Sequence, residues 1–418
     1  VNVKTIGVLV PVSGKLKAYG DSVLQAVRLA SGELSKGGGP EIDIVVRDSK
    51  GDAAEAAKAV QDFVTVDGAI AVVGALFRVE AEGAAAKAQE LGVPLVTLTA
   101  EEGITDVGPF VLRTGLTNAA QVDALVRYAM DVVGMKRFAI LYPRHPYGEE
   151  LLHLFWDRVE AKKGEVRGVQ SYAAEETTFT DSVKALVGRD VLELRGDYHA
   201  ARRECAKQPD SYRRARCERS VVTDLKPIID FDGLFIPDYP RTIALVAPAL
   251  AFEDIIVEQD PRYLRRIEKT LGRKVEPVTL MGVSGWNSPQ VPEKAGRYVE
   301  NALFTDGFFP GDDRRETAQF VAEFRKNFNR TPALPEALFY DAIRMVRTVI
   351  ATHAPAHREA MRQGLRSLVD FPGVTGKMSL AEGGEVKREV QILTIKEGAI
   401  QSASLPVEKA PTVPDSTP

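Results

Sequence analysis

Cysteine is almost absent from this chain: Cys205 and Cys217 are the only two in 418 residues. That excludes a scaffold held by many disulfides and leaves either one bridge or two idle thiols. Long apolar runs are missing too. No stretch approaches the roughly 18 residues of a membrane span, and the nearest, Ile243 to Val257, is broken by Pro248, Glu253 and Asp254. Charge of one sign is not in excess. A net charge of -4 and a pI near 5.9 give neither nucleic acid nor an anionic membrane an electrostatic reason to bind. No signal peptide is in view, because the chain enters a strand within its first residues. It reads as a trimmed or mature form from which an export signal, with or without a lipid anchor, has been removed.

Catalytic and metal signatures are equally scarce. Gly14-Lys15 shares only a dipeptide with a phosphate loop, since Leu16 stands where Ser or Thr is required. Gly282-Val283-Ser284-Gly285 lacks the spacing of a nucleophile elbow. His353 and His357 stand four apart, but Pro355 between them interrupts helical geometry, and His145, His153 and His199 are scattered. The acidic pairs Glu101-Glu102 and Asp312-Asp313 read as solvated loops or caps. No cofactor and no metal are expected, and an enzyme is the least supported class.

What is present is a regular alternation. Hydrophobic residues make up 44% and charged residues 27%, the balance of a globular chain with more than one core. Thr5–Val10, Ile42–Arg47, Ala69–Val73 and Pro94–Leu98 read as strands. Helical spacing follows three of them at Ala18–Leu34, Ala53–Val64 and Glu80–Leu91. The runs are continuously apolar, which predicts strands buried on both faces of a parallel sheet with helical crossovers. The pattern pauses at Val111–Thr117 and restarts: helix Ala119–Val133, strand Arg137–Tyr142, helix Glu149–Lys162, strand Val166–Tyr172. Beyond an irregular middle come strand Gly233–Pro237, a helix from Thr242 and strand Val278–Gly282. Two successive doubly wound sheets predict two similar α/β lobes.

Asp190–Asp224 departs from this rhythm, being charge-rich and helical in composition. Pro209 should end one helix, and Asp210 or Ser211 can cap the next, which predicts a helical hairpin inserted in the second lobe. On one continuous helix the two cysteines would lie about 18 Å apart, whereas a reversal at Pro209 lets them face each other. The arginines at 202, 203, 213, 214, 216 and 219 form either a solvated face or a docking surface for a partner. The last residues, 401–418, lack apolar periodicity and are expected to be disordered.

Several segments in order resemble one family. IGVLVPVSGKLKAYGDSVLQAVRLA at the start, RDSKGD, VGAL, LGVPLVTLTA, ILYPRHPYGEE, FDGLFIPDY, PALPEALFYDAIRMV and FPGVTGKMSLAEGGEVKR are similar to stretches of type I periplasmic binding proteins of the leucine/isoleucine/valine-binding class. The resemblance implies two Rossmann-like lobes joined by three crossovers, near Leu112–Thr117, Phe304–Gly307 and Val374–Lys377, closing on a ligand between them. It places 1–114 with 307–374 in the first lobe and 115–306 with 375–400 in the second. It implies a monomer or weak dimer in the periplasm or another extracytoplasmic space, delivering a small ligand to a membrane ABC permease. That oxidising compartment favours a Cys205–Cys217 disulfide. The other reading on the same fold is a ligand-independent periplasmic regulatory protein, similar to activators of cell-wall synthases.

The same resemblance nominates the binding residues. In the first lobe they are Tyr19, the turn Leu76-Phe77-Arg78, and Thr99, Ala100 and Glu101. Amino-acid binders place a serine-rich turn at the second of these, where Arg78 offers instead a charge-assisted contact to an anion. In the second lobe they are Tyr147, Asp238, Tyr239, Ser284 and Trp286. Ser284 stands where amino-acid binders carry an acid for the ammonium. A hydroxyl cannot neutralise a buried ammonium, which argues against an α-amino acid held in the usual way. Each nominee also has a bland reading: Tyr19 as a helix staple, Arg78 and Glu101 as solvated charges, Asp238 as a cap, Trp286 as core.

Overall fold

The computed structural model describes residues 1–34, 41–381 and 383–403, with the side chains of 222–224 left aside. Two compact units divide the chain. Among the described residues, one comprises 1–120 and 306–391, the other 121–305 and 392–403.

The elements run in chain order as β1 (Asn2–Val10), α1 (Lys17–Ser31), β2 (Asp43–Asp48), α2 (Ala53–Thr65), β3 (Ala69–Gly74), α3 (Arg78–Leu91), β4 (Leu95–Thr97) and β5 (Val111–Arg113). The second unit continues with α4 (Asn118–Arg127), β6 (Arg137–Pro143), α5 (Pro146–Ala161), β7 (Glu165–Tyr172) and α6 (Thr180–Leu186). Next are α7 (Gly196–Ala206), α8 (Ser211–Asp224), β8 (Gly233–Phe235), α9 (Pro240–Phe252), α10 (Pro261–Leu271), β9 (Thr279–Gly282), α11 (Gln290–Ala295) and β10 (Leu303–Asp306). The chain returns to the first unit for α12 (Arg315–Phe328), α13 (Leu334–His353), α14 (Arg358–Arg366), β11 (Phe371–Gly373), β12 (Gly376–Leu380) and β13 (Val386–Arg388). It then closes the second with β14 (Gln391–Lys396) and β15 (Ala399–Ser402).

The first sheet has the order β2-β1-β3-β4-β5 with every neighbouring pair parallel. Ile6, Val8 and Val10 of β1 face one core with Val23 and Val27 of α1 and Ile343 and Val346 of α13. Leu9 faces the other, with Phe63 of α2 and Ala84 and Ala85 of α3. Alternate side chains of one strand thus enter two separate cores, and helices cover both faces. Gly7 lets α2 pack down, because a Cβ there would lie 2.7 Å from the Phe63 ring. The second sheet has the order β15-β14-β10-β9-β8-β6-β7, parallel from β10 through β7, with β14 and β15 antiparallel.

Local signals account for many boundaries. Asp52 caps α2, its carboxylate accepting the Ala54 and Glu55 amides at 2.9 and 3.0 Å. Gly32, in the left-handed region, ends α1 at Ser31 rather than Leu34. Val111–Thr117, expected as a pause, contains β5, the edge strand of the first sheet, where Arg113 makes a charge-assisted pair with Glu385. The helix expected over Ala119–Val133 finishes as a π-helical turn over Tyr128–Val133.

The returning segment differs from expectation in its allegiance. Residues 375–391, expected in the second lobe, pack with the first unit as the antiparallel sheet β11-β12-β13. The cause is a buried carboxylate. Asp341 on α13 accepts the Val374 amide at 2.8 Å and the Thr375 amide and hydroxyl at 2.9 and 2.7 Å. The Thr375 hydroxyl also accepts Arg388 at 2.9 Å, and Arg388 donates to the Thr114 carbonyl. Burial raises the Asp341 pKa against these donors and lowers that of Arg388 to about 10, opposed there by the Asp341 charge.

The inserted hairpin is present as α7 and α8, with Asp210 accepting the Arg213 amide at 2.7 Å. Cys205 and Cys217 form a disulfide across it, and Tyr198, Cys205, Val221 and Leu225 make a small core of their own. Of the expected disordered tail, Gln401 and Ser402 belong to β15, and 404–418 lie outside the described residues.

Two outcomes test this packing. Asp341→Ala leaves buried donors without an acceptor and should cost about 3 kcal/mol of unfolding free energy in urea titration. Replacing both cysteines by serine should raise amide exchange across 196–224 while leaving exchange in β1 and β3 unchanged.

Candidate functional site

In a parallel sheet the loops at the carboxyl ends of the strands share one edge. The crevice opens where the strand order reverses, because successive helices there leave to opposite faces. In the first unit that point lies between β1 and β3. Tyr19, in the first turn of α1 after β1, meets Phe77, at the start of α3 after β3, edge to face with ring centroids 5.5 Å apart. Tyr19 keeps 52% of its surface exposed.

Two acids that the sequence reading did not single out, one buried and one half-buried, shape this edge. Glu80, fully buried in the first turn of α3, accepts the Leu76 and Phe77 amides at 2.8 and 3.0 Å and the Ser49 hydroxyl. Asp48, ending β2, accepts the Val12 amide at 2.9 Å and the Ser13 hydroxyl at 2.5 Å. Burial works against the Asp48 charge, but the Ser13 hydroxyl and the Lys50 and Val12 amides outweigh it and hold its pKa below the ordinary value. Gly20 permits the turn, since a Cβ there would sit 2.0 Å from the Pro11 carbonyl oxygen. A Glu three residues after a helix start was the available signal for Glu80.

After β4, Thr99 is buried and its hydroxyl accepts the Glu101 amide at 3.2 Å. The Ala100 carbonyl accepts Arg113 at 3.3 Å. Arg78 is exposed, yet pairs with Glu82 at 3.0 Å and with Glu101 at 3.6 Å; Glu82 first and Glu101 second raise its pKa. Arg78 and Glu101, nominated as ligand contacts with solvated charges as the alternative, therefore pair with each other at this edge.

In the second unit the strand order reverses between β6 and β8. Tyr147 opens α5 after β6, and Tyr239 precedes α9 after β8. Their rings stack with centroids 5.4 Å apart and planes 18° from parallel, with His145 6.0 Å beyond Tyr147. Tyr239 keeps 54% of its surface exposed. Each unit thus carries an aromatic pair across its switch point.

Two nominees of this unit are buried and hydrogen-bonded within it. Trp286 is fully buried, its indole N–H donating to the Ile236 carbonyl at 2.8 Å and its ring stacked 6.2 Å from Phe304. Gly282 makes room for it, because a Cβ there would lie 2.0 Å from the indole Cδ1. Asp238 is also buried and occupied, accepting the Tyr172 hydroxyl at 2.5 Å and the Tyr239 amide at 2.6 Å. Burial first and the Asp238 charge second push the Tyr172 pKa up. Ser284 begins the turn leading to Trp286, its amide held by Gln121 at 2.9 Å. Among the described residues no cluster of three or more acids, histidines or cysteines is arranged to hold a metal ion, and His357 caps α14 through the Ala360 amide at 3.2 Å. No helix of the described residues is long and apolar enough to cross a membrane.

Comparison with known proteins sets this geometry in context. The sequence profile of the family described as periplasmic binding protein matches residues 4–191 and 266–399. A Leu/Ile/Val-binding protein, BraC3, of Rhizobium johnstonii is 32% identical over 159 residues, 36% of this chain and 42% of that protein. Across such curated relatives the chain spans about half of their length. A Rhodospirillum rubrum structure assigned to a branched-chain amino acid ABC transporter superposes with a TM-score of 0.74 at 19% identity, covering 96% of this chain and 99% of that one. A solute binding protein of an ABC transporter from Rhodopseudomonas palustris, in complex with 3,4-dihydroxy benzoic acid, gives 0.64 at 16% identity, with 95% of each chain covered.

The core position of Trp286 has a measurable consequence. Trp286→Ala should lower unfolding free energy by about 3–5 kcal/mol in chemical denaturation, as for a buried aromatic.

Proposed function

Because the chain belongs to the periplasmic binding protein family, a family of binding proteins and not of enzymes, we propose that it is the extracytoplasmic solute-binding component of an ABC importer. Its ligand is a small carboxylate with an aromatic or apolar body. The observation that carries this reading is the aromatic pair at each switch point, Tyr19 with Phe77 and Tyr147 with Tyr239. Half-exposed rings at strand ends bury much ligand area at little entropic cost.

The residues around these pairs favour a carboxylate over an amino acid. Ser284 supplies no negative charge for an ammonium, and Asp238 is taken up by Tyr172 and the Tyr239 amide. Among relatives, BraC3 is a Leu/Ile/Val-binding protein, whereas the Rhodopseudomonas protein holds 3,4-dihydroxy benzoic acid. The carboxylate is the chemistry those ligands share. The Cys205–Cys217 disulfide agrees with an oxidising, extracytoplasmic compartment.

The test is a thermal-shift screen followed by calorimetry with benzoate, 3,4-dihydroxybenzoate, L-leucine and L-isoleucine. A ligand at about one hundred times its Kd should add about 2.7 kcal/mol to stability. The aromatic carboxylates should stabilise the protein, and Tyr239→Ala should weaken their binding about tenfold, or 1.4 kcal/mol. Stabilisation by leucine or isoleucine alone would overturn the preference for an aromatic carboxylate over an amino acid.

One observation favours a second reading, a ligand-independent periplasmic interaction protein. The bridged hairpin α7–α8 lies outside the residues matched by the family profile and exposes Tyr212 among Arg213, Arg216 and Arg219. Under that reading, deleting 196–224 abolishes partner capture; under the first, ligand binding survives the deletion.

A further inference from the structure

At the amino edge of the second sheet, opposite the strand ends discussed above, α10 lies over an unfilled cavity of about 400 Å³. The position follows from its neighbours. Ile256 of the cavity wall accepts the Val278 amide at 2.8 Å just before β9, and Arg297 and Tyr298 precede β10.

α10 is strongly two-faced. Ile267 and Leu271 stand four apart on one side, with Arg262, Arg265, Arg266 and Lys269 elsewhere on the helix. An apolar stripe of this kind normally enters a core, yet no residue of α10 is buried. The stripe instead lines the cavity, opposite Ala251 and Phe252 of α9, and Phe252 leaves 76% of its surface exposed. The walls combine aliphatic side chains with the rings of Phe252, Tyr263 and Tyr298 and a polar rim, and the volume falls in the range of roughly 300–1,000 Å³ typical of ligand pockets.

The mouth has a definite charge. Arg297 lies against the Tyr298 ring at 5.3 Å, and among the described residues no carboxylate pairs with it. The two acids of the lining are already engaged. Asp254 faces Arg273 at 3.5 Å and Arg189 at 3.8 Å, and Glu258 accepts the Gln259 and Asp260 amides at 2.8 and 3.0 Å. Among the described residues Arg297 is the one cation of the lining and faces no carboxylate, so it offers a guanidinium to the anionic head of an amphiphile whose chain lies along the apolar part of the wall.

We propose that this cavity is a second binding site, for a molecule with an aliphatic chain and a terminal carboxylate, the chain lying between α9 and α10 and the carboxylate meeting Arg297. The proposal is independent of the ligand assigned to the strand ends. The family profile skips 192–265, which contains all of α9 and the start of α10, so part of the cavity is built from chain outside the matched region.

Calorimetry of the full chain with decanoate, and with 1-decanol as its uncharged counterpart, tests it. Decanoate should bind saturably at one site and more tightly than decanol. Ile267→Trp, which fills the chamber, should abolish binding of both. Arg297→Gln, at an exposed position that leaves packing intact, should weaken decanoate about tenfold and leave decanol unchanged. Tyr239→Ala should alter neither, which separates this cavity from the strand-end residues. Absence of saturable decanoate binding, wild-type affinity in Arg297→Gln, or loss of binding in Tyr239→Ala would each overturn the assignment. Should Ile267→Trp fail to fold by circular dichroism, the Arg297→Gln and Tyr239→Ala comparisons decide the matter alone.

Discussion

A parallel strand flanked by helices can face water on neither side, and most of this structure follows from that constraint. Every residue of β3 is buried, and β1 sends alternate side chains into two separate cores. The faces of the sheet are closed to chemistry, so the strand ends are left to carry it. Where the strand order reverses, the helices diverge and an aromatic pair stands in the gap: Tyr19 with Phe77 in one unit, Tyr147 with Tyr239 in the other. The same topology met twice places the same kind of side chain at the same point.

Loops at such an edge must be stiff to present side chains in fixed positions, and carboxylates bonded to the backbone supply the stiffness. Glu80 holds the Leu76–Phe77 turn, Asp48 holds the Val12–Ser13 turn, and Asp238 holds the start of Tyr239. Each accepts backbone amides that would otherwise be unsatisfied near the sheet edge. Acids used this way are not available to a ligand. What remains at the edges is mostly aromatic, with Arg78 already partnered by Glu82 and Glu101. That division of labour favours a ligand with a large apolar body and modest demand for compensating charge.

Strands β1–β4 and β6–β9 were legible in the sequence, because continuous apolar runs are local signals, whereas β10, β14 and β15 of the second sheet were not read as strands. Nor was β5, since Val111–Arg113 is three residues long and is defined by pairing with β4. The switch-point tyrosines followed from family resemblance, and the structure adds that Tyr147 and Tyr239 stack. Trp286 and Asp238 are buried for a reason no linear reading supplies. Whether an indole after a strand turns outward or inward depends on the gap left by Gly282 and on the Ile236 carbonyl across the sheet. Likewise the allegiance of 375–391 is decided by Asp341, more than thirty residues upstream, with nothing near Thr375 to announce it.

The regions outside the family match obey a different rule from the sheets. A sheet helix is stabilised by burying one face in a large shared core, as α1 does with Val23 and Val27. The hairpin α7–α8 has only the small cluster around Tyr198, Cys205, Val221 and Leu225, and a covalent bridge supplements what that core lacks. α10, most of which falls where the family match resumes at residue 266, has no fully buried residue and no bridge, and its apolar side lines the pocket. An element that keeps an apolar stripe without burying it retains the stripe's free energy for whatever fills the space beneath, because burying aliphatic surface is favourable whether the partner is protein or ligand. The logic shared by the two sheets therefore explains the strand-end residues, and the partly exposed hydrophobic face of α10 is where the chain departs from it.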